Sequence, residues 1–209
     1  CQRNSSICSL LVGPGQDLAA AIETLGPNPA GGRLDALICL RRGTYTLTSS
    51  LRIENRGNIQ LMGIGPGTRI IAPSSEAALV FADCTSVKVS NLYVETGLVG
   101  RGSQANTDLQ GSLTFVDCPS VSVESAHVQC AGGPSRAGTC ITVRNSQAAA
   151  GTRAHVHGCT LQVGHHQTGI LVVNVDRSYV TDNDVRAGAR PIDDALLTER
   201  QAAGRLEHV

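Results

Sequence analysis

Four of the six histidines of this chain lie within twelve residues, in the segment HVHGCTLQVGHH at 155–166. His155 and His157 are two residues apart, so a β-strand would direct both imidazoles to the same face. Imidazole titrates near neutral pH and is a common ligand of divalent metal ions. The pair is therefore a candidate for metal binding or for general acid–base catalysis, provided that a strand holds it. His165 and His166 are expected in a turn, exposed to solvent and outside this group.

The strands that would hold these side chains belong to a sequence repeat. The segments LVFADCTSVKVSNLYV at 79–94 and LTFVDCPSVSVESAHV at 113–128 match in spacing without a gap. Two further copies begin at Ile141 and Ile170, and a looser copy begins at Leu51. Each copy contains three short stretches of alternating apolar and polar residues, separated by turn residues. One copy cannot bury its own apolar face, whereas stacked copies can, so the repeat predicts a solenoid.

Three alternating strands per copy predict a single-stranded parallel β-helix of about five coils, an all-β fold. Equivalent residues of successive coils then stack about 4.8 Å apart, and apolar columns fill the interior. Four columns are expected: Leu51, Leu79, Leu113, Ile141 and Ile170; Ile53, Phe81, Phe115, Val143 and Val172; Leu61, Val89, Val123, Val156 and Val180; and Val94, Val128, Leu161 and Val185.

Short polar residues form a further column in the turn after the first strand of each copy. Such residues tolerate a left-handed backbone and bond to neighbouring amides. Asp83 above Asp117 would place two carboxylates together, which either cap backbone N–H groups or hold a cation between them. The column consists of Asn55, Asp83, Asp117, Asn145 and Asn174.

The ends of the stack are expected to be covered, because open sheet edges promote aggregation. We predict three regions. Residues 1–50 contain a capping helix at 15–26 and the first strands, residues 51–188 form the coils, and residues 189–209 form a C-terminal helical tail.

The N-terminal part also carries motif residues. GTY at 43–45 follows the predicted capping helix, and GIGPGT stands at 63–68. This order resembles the N-terminal pattern of pectate-lyase-like right-handed parallel β-helix proteins (PbH1-type repeats), with Arg41 and Arg42 in place of the usual prolines. The resemblance implies a right-handed coil, which parallel crossovers also favour. It implies less about function, because that superfamily contains lyases, hydrolases, epimerases, tailspikes, adhesins and modules without activity.

Outward residues of the second strand place two further side chains beside the histidines. The column through His155 contains Tyr179, and the column through His157 contains Glu124 one coil away. We predict His155, His157, Glu124 and Tyr179 as candidate catalytic residues. The two histidines and Glu124 are also candidate ligands of zinc or calcium. The alternative is a solvated polar surface that performs no chemistry.

The outward residues of the other two strands predict two different surfaces. The third strand exposes a polar groove suited to hydrogen bonding with a polysaccharide, and its candidate binding residues are Tyr93, His127, Asp184 and Arg186. The first strand exposes an apolar face that must be covered, either by a segment of this chain or by another chain or domain. Its apolar members include Val80, Val116, Leu171 and Val173.

Charge and cysteine content narrow the classes of partner. The formal net charge is zero, so neither nucleic acid nor an anionic membrane is expected as a partner. No apolar run approaches the ~20 residues of a membrane span. The eight cysteines form no CxxC pair, which disfavours a structural zinc site. Cys130 and Cys140 bracket a loop, where they form either a disulfide or a reduced pair, and the former predicts an extracytoplasmic or secreted protein.

Three functions are compatible with this sequence. The first is a non-catalytic β-helix module, structural or binding a carbohydrate surface. Because the chain begins at Cys1 and not at Met, it would be part of a larger extracellular or phage-like protein. The second is a polysaccharide lyase or glycoside hydrolase. The third is an oligomeric spike or adhesin module that associates through its apolar face.

Overall fold

The computed structural model describes residues 8–30, 32–72, 77–97, 111–131, 138–164 and 167–187. Most of these residues are β-strands, in parallel sheets that curl into a half-barrel, which confirms the all-β class. The strands are β1 (Leu10–Val12), β2 (Ala36–Leu40), β3 (Gly43–Thr46), β4 (Leu51–Glu54), β5 (Asn58–Met62), β6 (Thr68–Ala72), β7 (Leu79–Ala82), β8 (Ser86–Ser90), β9 (Tyr93–Gly97), β10 (Gly111–Val116), β11 (Ser120–Glu124), β12 (His127–Ala131), β13 (Gly138–His157), β14 (Thr160–Val163), β15 (Gln167–Thr181) and β16 (Asp184–Ala187).

Each repeat contributes to three parallel ladders, in which a strand pairs with the equivalent strands of the neighbouring repeats. Strands β13 and β15 continue from the first ladder into the second, so these two ladders form one ten-stranded sheet, and the third is a separate six-stranded sheet. The first ladder contains β4, β7, β10 and the first parts of β13 and β15; the second contains β1, β2, β5, β8, β11 and the second parts of β13 and β15; the third contains β3, β6, β9, β12, β14 and β16.

The strand registers confirm all four apolar columns. Leu113, for example, pairs with Leu79 on one side and with Ile141 on the other. The rings of Phe81 and Phe115 stack with their centroids 5.3 Å apart, and both side chains are fully buried. Residues from all three ladders thereby join one hydrophobic core, and each large apolar side chain that is fully buried contributes about 1.5–3 kcal/mol.

The left-handed backbone expected in the turn column is confirmed at four positions and is wrong at the fifth. Asn55, Asp83, Asp117 and Asn174 have φ between 52° and 56°, in the left-handed region. Asn145 has no left-handed backbone, but it still stacks beside Asn174, because the side-chain amide of each donates to the backbone carbonyl of the other, at 3.1 and 2.9 Å. The Asp117 carboxylate accepts hydrogen bonds from the Ser146 amide (2.6 Å) and hydroxyl (2.7 Å), which supports capping at this position.

Strand β13 makes an excursion between the first and second ladders. Its residues Arg144 and Arg153 pair with Val173 and Arg177, so residues 145–152 stand opposite only residues 174–176. Residues 146–151 are exposed. The Thr152 hydroxyl closes the excursion, because it donates to the Ala149 carbonyl (2.8 Å) and accepts from the Asp176 amide (2.9 Å).

The helix expected at 15–26 is observed as α1, which spans Leu18–Glu23. Asp17 caps it by accepting from the amides of Ala19 and Ala20, at 2.9 and 3.2 Å. Its apolar residues Leu18 and Ile22 are buried in the core. No helix within the described ranges is long and apolar enough to cross a membrane. The helical tail predicted at 189–209 lies outside the described residues.

The cysteines pair differently from the prediction. A disulfide joins Cys8 to Cys39, whereas Cys130 and Cys140 are buried free thiols. The predicted Cys130–Cys140 disulfide is therefore wrong: the Cys130 thiol donates to the Thr139 carbonyl at 2.7 Å, and the Cys140 thiol donates to the Gln162 carbonyl at 3.5 Å. Spacing alone indicated that the two residues are close but not that their thiols have backbone acceptors.

The apolar face of the first ladder is largely covered within this chain. Val80 is 3% exposed and Leu171 is 8% exposed, while Val116 and Val173 are half-buried. The alternative that Val80 and Leu171 contact another chain is therefore wrong, because both side chains are already buried within this chain. The outward Thr114 is also buried, with its hydroxyl donating to the Gly111 carbonyl at 2.9 Å.

Candidate functional site

The histidine pair lies on the outward face of the second ladder, as the alternation predicts. Val156 points into the core, which directs His155 and His157 outward. The registers place Glu124 beside His157 and Tyr179 beside His155. The four predicted catalytic residues are thus neighbours on one rigid sheet, and their side-chain contacts determine what they can do.

The two imidazoles contact each other and the following repeat. Their centroids are 5.7 Å apart, and the Tyr179 ring lies edge-on to His155 with the centroids 6.4 Å apart. His157 Nδ1 lies 3.1 Å from Thr181 Oγ1 and 3.4 Å from Asp182 Oδ2. His157 therefore has a carboxylate neighbour, but this is Asp182 in the turn that follows β15 and not the predicted Glu124.

Glu124 is held by other partners. Its carboxylate lies 2.6 Å from Lys88 Nζ and accepts a hydrogen bond from the Ser122 hydroxyl at 2.8 Å. Lys88 foremost, and then Ser122, hold the pKa of Glu124 below its usual value. The side chain is consequently ionised at neutral pH and is poorly suited to donate a proton as a general acid.

The predicted metal site is not formed. Within the described ranges there is no group of three or more histidine, cysteine, aspartate or glutamate side chains arranged to hold a metal ion. Glu124 is directed to Lys88, and His157 is directed to Thr181 and Asp182, so His155, His157 and Glu124 do not converge. The prediction of a zinc or calcium site at these residues is therefore wrong.

The outward face of the third ladder holds a continuous stack of polar side chains. The registers align Arg69, Tyr93 and His127 on consecutive strands. The Arg69 guanidinium lies 4.7 Å from the centroid of the Tyr93 ring, and the His127 ring stacks on Tyr93 at 4.9 Å. Because neighbours cover both faces of the Tyr93 ring, it presents its edge and hydroxyl to solvent rather than a flat surface.

A second row of polar groups runs beside this stack. The Tyr93 hydroxyl lies 3.1 Å from Glu95 Oε2 and 2.5 Å from Gln129 Oε1. Burial, and then the Glu95 carboxylate, raise the pKa of Tyr93, so the phenol stays protonated at neutral pH. Gln162 pairs with Gln129 and is followed by Arg186 in the same row.

The charged side chains on the described strands of this face are paired. Arg69 Nη2 lies 3.3 Å from Glu95 Oε2, and Arg186 Nη2 lies 2.5 Å from Asp184 Oδ2. Burial of the ring, and secondarily the nearby Arg186, lower the pKa of His127. At neutral pH the described strands of this face therefore offer hydrogen-bond donors and acceptors with little net charge.

The sequence prediction identified most of this face but missed Arg69. The structure brings Tyr93 into contact with His127, and Asp184 into contact with Arg186, and Arg186 lies near enough to His127 to lower its pKa. The position of Arg69, just before the inward Ile70 that pairs with Val94, was the pattern that could have identified it. His165 and His166 lie outside the described residues.

We found no protein-family model, curated protein or solved structure that matches this chain.

Proposed function

We propose that this chain is a right-handed parallel β-helix module of the pectate-lyase-like type that binds carbohydrate. Three ladders of parallel strands, with one strand per repeat in each, support the β-helix. The strong preference of parallel crossovers for one hand supports its right-handedness. Such a module would work as part of a larger extracellular or phage-like protein.

The observation that carries the binding function is the polar stack of the third ladder. Donors and acceptors there stand at the regular spacing of a parallel sheet, about 4.8 Å. Carbohydrate sites hold hydroxyl groups with a few precisely placed polar atoms, and the stacked contacts of Tyr93, His127 and Gln129 hold theirs in place. Since the faces of the Tyr93 ring are covered, a sugar is held by hydrogen bonds at the edge of the stack.

Binding to immobilised polysaccharides, followed by calorimetry with the matching oligosaccharides, tests this proposal. Tyr93→Phe removes the hydroxyl but keeps the ring in its stack, so we expect about 2- to 12-fold weaker binding from the loss of one hydrogen bond. The control is Tyr179→Phe, which removes a hydroxyl from the exposed tyrosine of the second ladder. Absence of binding to any polysaccharide, or equal effects of the two substitutions, would contradict the proposal.

The enzymatic alternative has one observation in its favour, the contact of His157 with Asp182. A carboxylate beside an imidazole orients a general base, although the His157 side chain is 44% exposed and the Asp182 side chain 77% exposed. A polysaccharide lyase or hydrolase would release unsaturated or reducing ends that disappear in His157→Gln and diminish in Asp182→Asn. Turnover that survives both substitutions would remove this site from consideration.

The spike or adhesin alternative is weakened by the burial of Val80 and Leu171. It predicts an oligomer in sedimentation equilibrium at micromolar concentration. A monomer would exclude it.

A further inference from the structure

Both arginines on the strands of the third-ladder face have a carboxylate partner on the same face. Arg69 on β6 forms an ion pair with Glu95 on the neighbouring strand β9, and its guanidinium lies over the Tyr93 ring. Arg186 donates to Asp184, two residues earlier, through Nε at 2.7 Å. No cation is therefore left over for an anionic ligand on the described strands of this ladder.

The neutral side chains of this face also suit an uncharged ligand better than an anionic one. Between the two ion pairs the face carries the Tyr93 hydroxyl, Gln129, Thr160 and Gln162. These groups donate and accept hydrogen bonds without charge. His127 joins them as a neutral ring at pH 7, because its burial lowers its pKa.

An acidic sugar would have to break one of these ion pairs. If a uronate carboxylate took Arg69 from Glu95, two carboxylates would lie side by side, and their repulsion would offset the new contact. The hydroxyls of a neutral sugar can instead use the remaining donors and acceptors while both ion pairs stay intact. The face should therefore bind a neutral sugar more tightly, because only an acidic sugar has to break an ion pair.

We propose that the third-ladder face selects neutral oligosaccharides over oligosaccharides that carry carboxylate or sulfate groups. This inference rests on the carbohydrate-binding function proposed above and specifies its ligand class.

Calorimetry with matched oligosaccharides tests the selection. The neutral probes are linear β-glucan and β-mannan hexasaccharides, and the acidic probes are hexagalacturonate and a sulfated galactan hexasaccharide. We expect at least about 10-fold tighter binding of a neutral probe, equivalent to about 1.4 kcal/mol. We also expect its affinity to be the same in low and moderate salt, because no ion pair to the ligand is screened.

Two outcomes would overturn the inference, and they are distinguishable. Tighter binding of an acidic probe, weakened by salt, would overturn the selection and leave carbohydrate binding standing. Absence of binding to every probe would overturn the carbohydrate-binding function and the selection with it.

A charge-removing substitution supplies a second test. Glu95→Gln keeps an oxygen near the Tyr93 hydroxyl but frees Arg69, and Asp184→Asn frees Arg186 in the same way. Each should raise the affinity for hexagalacturonate several-fold, with a salt dependence that the unsubstituted protein lacks. Unchanged affinity in both variants would overturn the inference.

The matched control is Glu54→Gln. It frees Arg52 from an ion pair of the same kind, with the partners two residues apart and exposed, but on a strand of the first ladder. We expect it to leave the affinity for hexagalacturonate unchanged. An increase equal to that of Asp184→Asn would show that any freed arginine suffices, and would overturn the assignment to this face.

Discussion

The disulfide between Cys8 and Cys39 should hold the N-terminal end of the fold in place. It closes a loop with a sequence separation of 31 residues that contains β1 and α1. Strand β1 lies at the edge of its sheet and pairs with β2 over three residues, and helix α1 has six residues. A helix this short is not stable alone, so both elements depend on contacts that the cross-link maintains.

The size of the stabilisation follows from the length of the loop that the disulfide closes. Cross-linking residues this far apart lowers the entropy of the unfolded chain by about 12 cal/mol/K, which stabilises the folded state by about 3.7 kcal/mol at 25 °C. We expect the double substitution Cys8→Ala with Cys39→Ala to lower the free energy of unfolding by this amount. Reduction of the unsubstituted protein should have the same effect.

Urea unfolding with and without reductant is the primary assay. The unsubstituted protein should lose stability in reductant, whereas the double variant should show the same lower stability in both conditions. Because edge strands near a chain end unfold locally, hydrogen exchange at Leu10 to Val12 is a second readout, and it should be faster in the variant. A free energy of unfolding unchanged within about 0.5 kcal/mol, together with unchanged exchange, would refute the reasoning.

Three further predictions follow from the turns, the core and the third-ladder face. Ser125 is exposed with φ of 51°, so Ser125→Asn should raise the free energy of urea unfolding by about 0.5–1 kcal/mol, because asparagine tolerates this backbone better; Ser122→Asn on strand β11 should not raise it. Phe115→Ala should lower it by about 3–5 kcal/mol, whereas Ile64→Ala, at a side chain 67% exposed, should change it by less than about 0.5 kcal/mol. The folded-state pKa of His127 is lowered by burial and by Arg186. The neutral imidazole therefore contributes fully to the free energy of unfolding above the usual pKa of about 6.5, and this contribution is lost as the pH falls through the lowered pKa. A urea series from pH 7.5 to 5 should therefore show a smaller decline in His127→Gln, and an identical decline would contradict the assignment.

The parallel columns could be predicted from the sequence because two regularities constrain them together. Alternation decides which residues point inward, and the repeat decides which of these residues are neighbours. The prediction held from Leu51 to Ile170, including the stacked Phe81 and Phe115. The left-handed turn expected at Asn145 was wrong because nothing in the following segment QAAAG distinguishes a bulged excursion from an ordinary turn.

The side-chain partners of the candidate site were harder to predict. The columns place Glu124 between Ser90 and His157, one strand away on either side, and place Lys88 beside Ser122. Which neighbour it pairs with depends on side-chain length and charge, and the ammonium of Lys88 reaches it diagonally. Asp182 was missed because it lies in a turn, where strand alternation gives no direction.

The excursion of β13 has a consequence for how this scaffold tolerates change. Residues 145–152 replace a connection that has three residues in the following repeat, yet both ladders resume in register on either side. The hydroxyl of Thr152 and the carboxylate of Asp117 close the two ends locally. Peptides of comparable length grafted between these two closures should be displayed to solvent without disturbing the core, which makes this position a natural point for acquiring new surface loops.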